Sequence, residues 1–137
     1  ADRDSALRLW AARALAVIGP QALPRLATVL ESKEFERRDL SERAAFYEAY
    51  AYAGRTEAVA YLRGLIAQKS LLKPRHPDPV RACICRALGV AGGAEARTAL
   101  EKLQGDRSAP VREAVRAALG VLTPGAPASI GEPGGAR

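Results

Sequence analysis

Apolar residues return every three or four positions along this chain, the spacing of one face of an α-helix, and no segment alternates long enough to suggest a strand. Leu7, Trp10, Ala11, Ala14, Leu15 and Ile18 form one such stripe, and Ala45, Phe46, Ala49, Tyr50 and Ala53 form a second. Val80, Cys83, Ile84, Ala87, Leu88 and Ala91 make the third, and Val111, Ala114, Val115, Ala118, Leu119 and Leu122 the fourth. Each predicts an amphipathic helix with a wide buried stripe. The first three are each followed by a shorter one, marked by Leu23, Leu26 and Leu30, by Val59, Leu62 and Ile66, and by Ala96, Leu100 and Leu103.

The long stripes align on an arginine: Arg8, Arg43, Arg81 and Arg112, at intervals of 35, 38 and 31 residues. Gly19, Gly54 and Gly92 each lie 11 residues beyond the first three anchors. A glycine there predicts a helix end with a left-handed backbone, which glycine adopts at least cost. The predicted unit is therefore a helix, a tight turn and a second helix, with units at about 4–32, 39–68, 78–106 and 108–122. The fourth unit has no second helix, because Thr123-Pro124-Gly125-Ala126-Pro127 interrupts the pattern, and 123–137 is expected to be a flexible Pro/Gly-rich tail.

Asp78-Pro79-Val80-Arg81, then Arg86-Ala87-Leu88-Gly89, then Gly92, Ala96, Leu100 and Leu103, resembles a HEAT repeat of the bacterial phycobilisome-lyase type. Ser108-Ala109-Pro110-Val111-Arg112 with Ala117-Ala118-Leu119-Gly120 is similar, and the resemblance extends more loosely over residues 4 to 122. It implies an all-α fold, a right-handed α-solenoid of about three and a half HEAT-like helical hairpins. Most proteins with such repeats use them to bind other proteins rather than for lyase chemistry, so the implied function is a non-catalytic scaffold. Its protein or peptide partner is expected on the concave layer of second helices, where Arg25, Tyr61 and Lys102 fall on solvent sides. The longest connection, Lys69 to Pro77, is a second candidate contact through Leu71, Leu72, Lys73 and Arg75. The competing reading has Leu71 and Leu72 extending the second helix and covering the edge of the core.

Composition narrows this picture. At 137 residues, 48% hydrophobic and 26% charged, the chain suits one compact domain. No apolar run reaches the roughly 18 residues that span a bilayer, and Ala1-Asp2-Arg3-Asp4 does not open a signal peptide, so a soluble, cytoplasmic protein without membrane contact is expected. The absence of Met and a start inside a helical pattern suggest a segment of a longer protein, and the excess of Arg over Lys suggests a GC-rich bacterial source. Trp10 stands where the later units have Ala45, Cys83 and Ala114, which predicts either a cap against an upstream segment or a locally repacked core.

The net charge of +6 and pI near 9.8 keep nucleic acid or another polyanion open as the alternative partner, through basic inter-repeat loops. HEAT-like repeats also occur in DNA alkylpurine glycosylases, to which this chain is similar in its repeat alone. The excess is spread as +2 over residues 1–69 and +4 over 70–137, without the concentrated basic face and interleaved aromatics of a dedicated nucleic-acid binder.

Candidate chemistry is sparse. His76 is the sole histidine, which leaves no two-His metal site and no choice of catalytic triads, and no Gly-rich phosphate loop follows a strand. No enzymatic site, cofactor or metal is expected. Cys83 and Cys85, two apart on a helix, point to different faces and predict small core residues rather than a disulfide. Asp4 with Arg8, Asp39 with Arg43 and Asp78 with Arg81 predict ion pairs within the first turns of three helices. Glu34, Glu36 and Asp39, interleaved with Lys33, Arg37 and Arg38, predict a charged connecting loop.

Overall fold

A computed structural model of the chain describes residues 3–122. Its elements are α1 (Arg3–Ile18), α2 (Leu23–Leu30), α3 (Leu40–Gly54), α4 (Val59–Ala67), a small hairpin of β1 (Lys69–Ser70) and β2 (Lys73–Pro74), α5 (Asp78–Ala91), α6 (Ala94–Glu101) and α7 (Ala109–Leu122). The described chain is thus all-α apart from that hairpin. The proposed tail at 123–137 lies outside the described residues. Among the described residues no helix is long and apolar enough to cross a membrane.

The long helices pack side by side in chain order, α1 on α3, α3 on α5 and α5 on α7, while α2, α4 and α6 lie against them. One continuous core results. Helix α5 sits between two long neighbours and beneath shorter ones, so Val80, Cys83, Ile84, Cys85, Ala87 and Leu88 are all buried. Each fully buried Leu or Ile contributes roughly 1.5–3 kcal/mol. Cys83 and Cys85 are both free thiols within this core.

Among the described residues helix α1 has only one long neighbour, α3, and this overturns its predicted stripe. It buries Ser5, Ala12 and Ala16, whereas Leu7, Trp10, Val17 and Ile18 remain exposed. The predicted stripe was as wide as that of α5, yet nothing among the described residues covers its far half.

The turn glycines divide. Gly19 and Gly92 take positive φ as expected, at 98° and 77°, but Gly54 does not. Arg55 carries the positive φ there, at 51°, while Leu23 of α2 packs into the space beside Gly54, its Cδ1 2.9 Å from where a Cβ would stand. Arg55 donates to the carbonyl of Val90 at 2.9 Å and lies 4.2 Å from the ring centroid of Tyr52, contacts that offset the strain of its backbone.

Two of the anchor arginines, Arg8 and Arg81, find their main partners far outside their own first turns. Arg8 makes a two-pronged bond to the buried Glu42 carboxylate at 2.6 and 3.1 Å, and Ser5 donates to the same group at 2.9 Å. Arg81 binds Asp106, at the end of its own unit, at 2.6 and 3.2 Å, and also forms the predicted ion pair with Asp78, at 3.6 Å. Asp106 accepts as well from the backbone N–H of Ser108 and so ties α5 to the start of α7. Arg43 forms no ion pair with Asp39; it is buried with its guanidinium 5.3 Å from the ring centroid of Phe35. An arginine sunk between two long helices is out of easy reach of an exposed acid on its own first turn. The connection expected to be merely charged carries a core residue, Phe35, which meets Phe46 and Tyr47 edge-on at 5.7 and 5.5 Å.

The hairpin replaces an expected loop. Lys69 pairs with Pro74 and Ser70 with Lys73, which leaves Leu71 and Leu72 as the two-residue turn. Only the first of these has positive φ, 62°, the pattern of a II′ turn, where glycine is the usual choice. A leucine there costs about 1–2 kcal/mol of backbone strain. Both side chains project away from the protein, 95% and 94% exposed, so they do not cover the core edge.

Candidate binding groove

Between α4 and α6 the second helices leave a groove of about 270 Å³, with α5 as its floor and the base of the hairpin as one wall. Ile66, Ala67, Pro74, Leu88, Ala99 and Leu103 provide the apolar lining. The amphipathic spacing of α4 and α6 explains why: the same stripe that buries Leu62 and Leu100 completely brings Ile66 and Leu103 to the edge of the core, where they are only half-buried.

The charged lining is entirely basic: Arg63, Lys69, Lys102 and Arg81. Arg81 is compensated by Asp106 and Asp78, and the Asp106 bond raises its pKa further. Arg63, Lys69 and Lys102 form no ion pair among the described residues. Thr98 and Gln68 complete the lining; the Thr98 hydroxyl donates to the Ala94 carbonyl at 3.1 Å, and Gln68 accepts from His76 at 3.2 Å. The groove therefore combines an apolar floor with three uncompensated cations. Its lining contains no thiol, imidazole or carboxylate.

The sequence-derived site residues fall in different places. Lys102 lines the groove, and Arg25 is exposed on α2 away from it. Tyr61 is half-buried and already engaged at the surface: its hydroxyl donates to Glu31 at 2.8 Å and its ring packs on Tyr50, with centroids 4.7 Å apart. Burial, and then the Glu31 carboxylate, raises its phenol pKa well above the ordinary value. Leu71 and Leu72 stand at the hairpin tip, beyond the groove wall. Lys73 lines a second, shallower cleft with His76, Asp78 and Arg107, and Arg75 is tied to Glu36 at 2.8 Å. Burial lowers the pKa of His76, aided by the nearby Arg75 and Arg43 charges, so it is neutral at pH 7.

Sequence reasoning missed Arg63, Lys69 and the apolar floor as a unit. The available signal was the position of Arg63 one turn before the end of α4 and of Lys102 just past the end of α6, but their convergence depends on how α4 meets α6. Among the described residues no group of three His, Cys, Asp or Glu side chains could hold a metal ion. The fold and groove together define an all-α protein of packed helical hairpins with an apolar, basic-rimmed cleft. No family model, curated protein or solved structure matches the chain.

Proposed function

We propose that this chain is a HEAT-like, right-handed solenoid of about three and a half hairpins that acts as a non-catalytic scaffold, binding a protein or peptide segment on its second-helix layer. The observation that carries the reading is the α4–α6 groove, where an apolar floor lies beneath Arg63, Lys69 and Lys102. Such a cleft takes apolar side chains of a peptide while the cations select its charge. The hairpin tip adds a second contact: Leu71 and Leu72 are fully presented between Lys69 and Lys73, and burying two leucines against a partner gains about 1.5–3 kcal/mol each.

The test is selection of peptides from a phage-displayed random library on the wild-type protein, then on Thr98→Trp, which fills the groove from its exposed edge. Peptides that bind the wild type, lose affinity tenfold or more for Thr98→Trp and leave its thermal melt unchanged support the reading. Equal binding to both proteins would refute the groove. Nucleic acid is the competing occupant of the same cations, and it is recognised by a steep fall of log affinity with log salt for a single-stranded oligonucleotide.

A further inference from the structure

We infer that the open face of α1 is a self-association surface, on which two copies of the chain pair α1 against α1 in antiparallel fashion about a two-fold axis. Leu7, Trp10, Ala14 and Val17 lie along one side of α1, diametrically opposite the Ser5, Ala12 and Ala16 face that packs on α3. The large members are 61%, 70% and 81% exposed, and Ile18 beside them is 58% exposed.

Internal repetition shows what such a face ordinarily meets. Counted from the anchor arginines, Leu7, Trp10 and Ala14 correspond to Val80, Cys83 and Ala87 of α5, all buried, and Val17 to Val90, which is half-buried. Helix α5 has a long helix on either side, whereas among the described residues α1 packs on α3 alone of the long helices. The exposed stripe is therefore a face of the kind that packs on a helix elsewhere in the row, and no described residue covers it.

A second α1 fits it. The spacing of the stripe, three, four and three residues, reads the same in either direction. An antiparallel pairing centred on Ala12 sets Leu7 opposite Val17 and Trp10 opposite Ala14, so the largest side chain meets a small one. The register also sets Ile18 opposite Ala6, and Arg3 opposite Gln21 just beyond the partner's helix. A two-fold interface of this kind is self-complementary and closed.

The other end of the row does not offer an equivalent surface. On α7 the positions matching Arg8, Ala12 and Ala16 are Arg112, Arg116 and Gly120, so head-to-tail stacking would press the Trp10 stripe onto two arginines and desolvate them. The apolar α1 stripe exposes on the order of 500 Å² per copy. A standard interface buries about 800 Å² per partner, so the dimer is weak and forms at micromolar concentration or above.

Sedimentation velocity of the full chain across the micromolar to millimolar range tests this, with emission from its single tryptophan, Trp10, followed in parallel. The expected result is a monomer–dimer equilibrium in which the emission shifts to the blue as mass rises. Trp10→Asp and, separately, Val17→Lys should weaken association tenfold or more while the thermal melt is unchanged; two variants guard against one that fails to fold. The register is read by oxidising single-cysteine additions: mixed Leu7→Cys and Val17→Cys should cross-link to each other, and neither to itself. A chain that stays monomeric at millimolar concentration overturns the inference, whether Trp10 is then solvent-exposed or covered by its own chain. So does a dimer that survives both substitutions, or one in which Leu7→Cys links to itself.

Discussion

Removing the Asp106 carboxylate should cost this protein a large share of its stability. In Asp106→Ala the Arg81 guanidinium, 7% exposed, keeps only Asp78 at 3.6 Å, and that acid is 56% exposed. Leaving one member of a buried pair uncompensated costs about 3–5 kcal/mol. The surviving Asp78 contact returns less than about 1 kcal/mol because it is exposed. Loss of the acceptor for the Ser108 N–H, which opens α7, costs about another 1 kcal/mol. The total, roughly 3–5 kcal/mol, compares with the 5–15 kcal/mol that holds a typical domain together. Replacing both partners, Arg81→Met with Asp106→Leu, should recover much of the loss, since apolar residues of similar volume can substitute for a buried pair. Urea unfolding followed by circular dichroism on wild type, Arg81→Met, Asp106→Leu and the double variant measures the coupling, expected at about 1–3 kcal/mol. A loss below about 1 kcal/mol for Asp106→Ala, or single effects that simply add in the double variant, would show that the Arg81–Asp106 pair does not lock α5 to the start of α7.

Three further outcomes are expected. The pKa of Glu42 is depressed first by the Arg8 hydrogen bond, and that of Asp106 first by the Arg81 hydrogen bond; their stabilisation is complete above the ordinary carboxylate range and is lost as pH falls through the lowered values, so acid melts should flatten in Glu42→Gln. Burial raises the pKa of Cys83 and pushes that of Cys85 up to about 12, so a thiol reagent at neutral pH should modify neither until urea unfolds the protein. Leu88, fully buried at the groove floor, should cost about 2–5 kcal/mol when truncated to Ala, whereas Leu71→Ser with Leu72→Ser at the exposed hairpin tip should leave the melt within about 0.5 kcal/mol of wild type.

Helix formation is a local matter, and for that reason periodicity sufficed to place the helices. The stripes of α3, α5 and α7 emerge on buried faces, and the short second helices follow at the expected places. Cys83 and Cys85 were legible as core residues for the same reason: they sit within an apolar helix. Which half of a stripe is buried is not local. The α1 sequence carries a stripe as broad as that of α5, yet Trp10 and Leu7 face outward because, among the described residues, α3 is the one long helix packed on α1. Partner choice was equally invisible: Arg8 lies four residues from Asp4 but binds Glu42, 34 residues away, since the guanidinium sits at a helix–helix interface. Phe35 was hidden among charges, and only the packing of its ring against Phe46 and Tyr47 makes it core. The Leu71–Leu72 turn violates the glycine preference on which turn prediction rests, so residue type pointed away from a hairpin. Of the groove, Lys102 could be placed on a solvent side from sequence alone. Its convergence with Arg63, Lys69 and the apolar floor joins residues from three helices and a hairpin, and only tertiary packing brings those together.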